Sequence, residues 1–140
     1  MFVLSVCDRP DDYDRDWENV AASKDEQKLK DHIEHLKTVH NQYLQINAEL
    51  NKILKSVPST GASLLVKPKH RPDLNPKQNY DLLSKYNRDV GKELEARQQK
   101  AIEIYCVNNA IEISSLDPAR LFPYKVPDMP EFSIQGLPEL

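Results

Sequence analysis

Glycine is nearly missing from this chain: Gly61, Gly91 and Gly136 are the only three in 140 residues. A loop that cradles phosphate needs several glycines close together, so the P-loop and G-x-G-x-x-G motifs are excluded in their usual forms. The nucleophile elbow G-x-S-x-G is absent too. Cysteine is almost as scarce. Cys7 and Cys106 lie far apart, match no metal-ligand spacing and have no histidine nearby in sequence, a usage that fits a reducing compartment. Long apolar runs are also lacking. MFVLSVC at the N-terminus has no basic leader and is followed by acids, so neither a signal peptide nor a membrane span is expected there. Proline is missing from two long stretches, between Pro10 and Pro58 and between Pro76 and Pro118. Such stretches suit long helices, and the clustered prolines elsewhere suit extended connectors.

What is present divides the chain into five parts: an apolar and acidic segment (1–22), a long helix (23–57), a Pro-rich basic connector (58–75), a second long helix (76–113) and a Pro-rich, aromatic tail (114–140). The expected fold class is all-α, with two long amphipathic helices of coiled-coil or bundle type and an extended C-terminal strap. The net charge of −3 argues against a general nucleic-acid binder. Charge is uneven, however. Residues 8–18 hold six acids and two bases, and residues 66–77 hold four bases and one acid.

The first helix carries the clearest signal. Ser23-Lys24-Asp25-Glu26 reads as an S-x-x-E capping box, and Pro58 stops the helix. Leu29, Leu36, Tyr43, Leu50 and Val57 recur every seven residues, and His32, Val39, Ile46 and Ile53 follow three residues after the first four. This 3-4 spacing belongs to a helix lying along another helix. Ile33 and Leu54 widen the stripe, as in a bundle, while His40 and Asn47 interrupt the same flank.

The second helix opens on Asn75 as cap, Pro76 at the first position and Gln78 completing the box. Its seam runs Leu83, Asn87, Val90, Leu94, Arg97, Ala101, Ile104, Asn108 and Ile111. Asn87 and Asn108 are either buried amides that fix register or residues at a wet edge. From Ala101 onward apolar residues surround the helix, which predicts cover from several elements. A rival reading makes 101–113 a hairpin turning at Asn108-Asn109; helix is preferred because GKELEARQQKAIE feeds into it without a breaker. The connector holds 18 residues and reaches roughly 60 Å when extended. A 35-residue helix is about 52 Å long, so the two helices are free to run parallel or antiparallel. In the tail, Asp117-Pro118 opens a short turn, and Leu121, Phe122, Tyr124, Val126, Met129, Phe132 and Ile134 are too apolar for a free terminus.

No reaction is legible. His32-Ile33-Glu34-His35 with His40 invites a metal reading, but the helical zinc signature needs histidines four apart with a glutamate directly after the first. No enzyme activity, cofactor or metal is expected. The leading expectation is a structural subunit of a hetero-oligomeric complex that binds other α-helical subunits, a partner of different sequence being favoured over a homodimer. Its candidate contact residues are Leu29, Leu36, Val39, Tyr43, Ile46, Leu50, Ile53 and Val57, then Leu94, Ile104 and Ile111, then Phe122, Tyr124 and Phe132 of the strap. Lys67, Lys69 and Arg71 are candidates for phosphate contact or nuclear import. Two alternatives stand beside this reading: a self-contained bundle that binds a peptide, and a homodimer paired through the first helix with its basic loop on nucleic acid. An intracellular site is expected, the nucleus ahead of the cytoplasm.

Overall fold

The computed structural model describes residues 1–8, 16–58 and 65–138. Expectations on 9–15, on 59–64 (Gly61 and Leu64 among them) and on 139–140 lie outside the described residues. The elements run β1 (Phe2–Cys7), β2 (Glu18–Ser23), α1 (Glu26–Ser56), α2 (Pro76–Asn109), two single-turn 3-10 helices (Ile113–Ser115 and Pro118–Arg120) and β3 (Glu131–Gly136). The chain divides into two compact units, one of residues 1–46 with 123–140, the other of residues 47–122.

The first unit overturns the all-α expectation. It contains a three-stranded antiparallel sheet in the order β2-β1-β3. The period-two pattern in β1 sends Phe2, Leu4 and Val6 to one face. β3 repeats it, with Phe132 and Ile134 alternating with Ser133 and Gln135. The two strands pair in continuous register from Phe2 opposite Gly136 to Cys7 opposite Glu131. On the other edge Leu4 pairs with Ala21 and Ser5 with Asn19, so Val20 forms a bulge. Ala21, opposite Leu4, lies on the inner face, and the bulge brings Asn19 opposite Ser5, whose Oγ donates to Asn19 Oδ1 at 2.7 Å. The inner core is Leu4, Val6 and Leu29, enclosed by Phe2, Ala21, Ile33, Leu36, Phe132 and Ile134. The wide stripe of α1 therefore faces a sheet in this unit, because a sheet face needs a broad apolar helix surface just as a bundle does.

Local signals explain the helix ends. Ser23 closes β2 instead of capping α1. Its Oγ accepts from the Asp25 N–H, and Asp25 Oδ1 accepts from the Gln27 N–H at 2.9 Å, so Asp25 satisfies the first turn. α2 begins with the reciprocal box of Asn75 and Gln78, with Pro76 next to the cap. It ends at Asn109, short of the expected 113. Ala110 takes a left-handed conformation (φ 52°), and the Ile111 N–H reaches Cys106 O, a Schellman-type stop. The hairpin alternative fails at the same place, since 101–109 continues α2.

In the second unit two observations orient the helices. Arg97 Nη2 donates to Leu54 O at 3.0 Å, and the Glu49 carboxylate lies near enough to Tyr105 to perturb its ionisation. As α1 advances α2 retreats, so this part of the pair is antiparallel. Among the described residues the buried apolar side chains of the unit are Leu50, Val57, Ala101, Tyr105, Cys106 and Leu116. Asn47, read from sequence as an interruption of the stripe, is buried and uses both ends of its amide. Nδ2 donates to Arg120 O at 2.9 Å, and Oδ1 accepts from the Phe122 N–H at 2.9 Å. That second bond holds Phe122 at φ 51°, a left-handed conformation costly for an aromatic residue. Asn47→Ala is expected to lower unfolding stability by about 1–3 kcal/mol in urea titration and to raise hydrogen exchange at Phe122. Asn47→Asp should not restore stability, because a carboxylate cannot donate to Arg120 O.

Candidate interaction surface

The expected contact residues fall into different environments. Leu29 and Leu36 of α1 and Phe132 of β3 belong to the sheet core of their own chain. Lys37 Nζ stands 6.0 Å from the Phe132 ring centroid, closing that core at its edge. Val39, Tyr43, Ile46 and Ile53 are half-buried, and Leu50 and Val57 are buried. Ile104 and Phe122 are half-buried. Ile111 is exposed just beyond α2, and Tyr124 is fully exposed in the tail. Cover around the end of α2 is one-sided: Ala101, Tyr105 and Cys106 are buried, whereas Val107 is 80% exposed.

Leu94 has a different setting. α1 ends at Ser56, two residues past the Leu54 carbonyl that Arg97 contacts. From Arg97 back to Pro76, α2 continues for 21 more residues, about 31 Å, with no α1 left to cover it. Tyr80 is 68% exposed, Leu83 37%, Val90 38% and Leu94 42%. Together with Asn87 they form one stripe at 3-4 spacing along the helix. Sequence reasoning found this seam from Leu83 onward, without Tyr80, and named only Leu94 of it as a contact, giving more weight to α1. The missing information was the length of α1 beyond its contact with Arg97.

The connector is fixed at the start of α2. Asn79 accepts from the Arg71 N–H at 2.9 Å and donates to Arg71 O at 3.0 Å. Lys67, Pro68, Lys69 and His70 line a shallow groove with Asn79, Tyr80 and Leu83. Of the three candidate basic residues, Arg71 is engaged by Asp73 through Nε (3.3 Å) and Nη2 (2.7 Å), leaving Lys67 and Lys69 at the groove.

Chemistry elsewhere is sparse. His32 and His35 stack at 6.4 Å between ring centroids. Among the described residues no group of three or more histidines, cysteines or carboxylates is placed to hold a metal ion, and no helix is long and apolar enough to cross a membrane. Both cysteines are free and buried. Burial pushes the Cys106 thiol above its ordinary 9.0. Tyr105 is raised above 10.0, first by burial and then by the Glu49 and Cys106 charges.

No protein-family model, curated protein or solved structure matches the chain.

The two raised groups set an alkaline limit. Folded, each keeps its proton to a higher pH than the unfolded chain does. Stability is therefore intact below the unfolded value of 9.0 for Cys106 and falls as pH rises through the folded values. Circular-dichroism melts should show a falling Tm above pH about 9. Tyr105→Phe should lose less Tm than the parent chain between neutral and strongly alkaline pH; an equal loss would remove Tyr105 from the account.

Proposed function

We propose that this protein is a non-enzymatic structural subunit that works by helix–helix association, with the Tyr80–Leu94 stripe of α2 as its contact surface. The observation that carries the reading is the exposure of Leu83, Val90 and Leu94 on one face of a helix that outruns α1. Fully burying a large apolar side chain contributes about 1.5–3 kcal/mol; Leu83, Val90 and Leu94 are still 37%, 38% and 42% exposed, so covering them contributes roughly half of that or less each. The candidate contacts on α1 move to a supporting role, since Leu29, Leu36, Leu50 and Val57 are used within the chain. An intracellular, nuclear or cytoplasmic setting remains part of this proposal, resting on cysteine usage.

A second reading draws on the groove beside Tyr80. Lys67, Lys69 and His70 line it with an exposed aromatic ring, the combination that binds single-stranded nucleic acid through phosphate contact and base stacking. On this reading a fluorescent single-stranded oligonucleotide binds with an affinity that falls steeply with salt and is lost in Lys67→Ala/Lys69→Ala. Binding that is absent, or unaltered in that variant, removes the reading.

The main proposal is tested by the size of the protein in extracts of its own cells. The chain should migrate in an assembly larger than its own 16.1 kDa. Val90→Asp should return it to monomer size while leaving its helix content unchanged. A wild-type chain already at monomer size, or an assembly indifferent to Val90→Asp, contradicts it.

A further inference from the structure

We propose that the tail segment Pro123–Asp128 is a contact site independent of the α2 stripe, a proline-framed ligand for a partner whose groove is walled by aromatic rings and receives chain in the polyproline II form. The pattern lies in the run PYKVPDMP, residues 123–130. Polyproline II turns once in three residues, so residues three apart share a face. Divided by that period, Tyr124, Pro127 and Pro130 form one face, and Pro123, Val126 and Met129 a second. Lys125 and Asp128, the two charges of the run, fall together on the third. A strand period of two separates them, one charge on each face. The run is therefore amphipathic as polyproline II and not as a strand.

The structure leaves this run to a partner. Tyr124 is fully exposed, Val126 is 71% exposed and Pro127 is exposed, whereas Met129 and Pro130 are half-buried. The free part is thus Pro123–Asp128. It lies between the 3-10 turn Pro118–Arg120 and β3, in neither helix nor strand. Among the described residues no backbone–backbone hydrogen bond holds 123–130, so its N–H and C=O groups are open to a binding groove.

The segment is also prepared for binding. Asn47 Oδ1 accepts from the Phe122 N–H at one end, and β3 pairs with β1 from Glu131 at the other. Proline fixes its own φ and biases the residue before it toward extended or polyproline II backbone. That restricts Val126 and Met129 as well as Pro123, Pro127 and Pro130. The chain bends at Tyr124 and Lys125, which are neither proline nor followed by one, so the change needed on binding falls on the two least restricted residues. A chain ordered in advance loses less entropy when it docks. The groove takes Tyr124 and Pro127 between its rings, with Val126 on the adjoining wall and an acidic side chain beside Lys125.

The probes are purified proline-recognition domains of the SH3, WW and EVH1 classes, titrated into the isotope-labelled full chain. Binding should shift the backbone amides of Tyr124, Lys125, Val126 and Asp128 and leave those of Leu83, Val90 and Leu94 in place. Tyr124→Ala and Pro127→Ala should each weaken it at least about tenfold with helix content unchanged. Val90→Asp, which disables the α2 stripe, should bind as the parent chain does. Failure of every class to bind overturns the proposal. So does binding indifferent to both tail variants, or amide shifts confined to α2.

Discussion

Leu4 and Val6 on the central strand β1 meet Leu29, Ile33 and Leu36 on α1, and the organisation of the first unit depends on that contact. β1 is paired on both edges, so its backbone is fully engaged, but a three-stranded sheet has no inner face of its own to bury against. α1 supplies the missing layer. Once Leu29 and Leu36 are committed to it, they are withdrawn from any external seam. β3 completes the sheet and brings Phe132 and Ile134 to the same core, so part of the tail, expected as an extended strap lying on this chain or on a partner, is a strand of this chain's own sheet.

The second unit shows the complementary situation. The last turns of α1 bury Leu50 and Val57, and Asn47 fixes the segment after α2 through Arg120 and Phe122. Arg97 donates to a carbonyl in the last turn of α1, where unpaired carbonyls benefit from a cation. Beyond that point α2 has no helical neighbour among the described residues of its own unit, and Leu83, Val90 and Leu94 stay partly exposed, with Leu83 beside the connector. The functional reading follows from this imbalance: the helix whose stripe looks strongest in sequence is the one already satisfied.

Much of the helical part was legible. The Asn75–Pro76–Gln78 start of α2 is a local signal and stands as read. The stripes of both helices were visible because periodicity survives without knowledge of the partner. The sheet was not, for physical reasons particular to its strands. β1 and β3 pair across more than 120 residues of sequence, beyond the reach of any local pattern. β2, ENVAAS, carries little β-propensity and is held by its neighbour and its bulge. The alternation in EFSIQG was available, but the surrounding prolines favoured reading it as an unpaired extended segment. Ser23 was assigned to a helix cap because the S-x-x-E pattern is indifferent to whether its serine also ends a strand; Asp25 takes that role. Asn47 looked like a defect in an apolar flank, and only its two backbone partners, more than 70 residues away, show it to be a clasp.

The central claim is that α1 is covered by its own chain and that the α2 stripe is not. Methyl NMR of the dilute protein with a soluble paramagnetic probe reads both at once. The account predicts strong line broadening at Leu83, Val90 and Leu94, with Leu29 and Leu50 left sharp. Broadening at Leu29 and Leu50, or protection of the three α2 methyl groups in the dilute single chain, would contradict it.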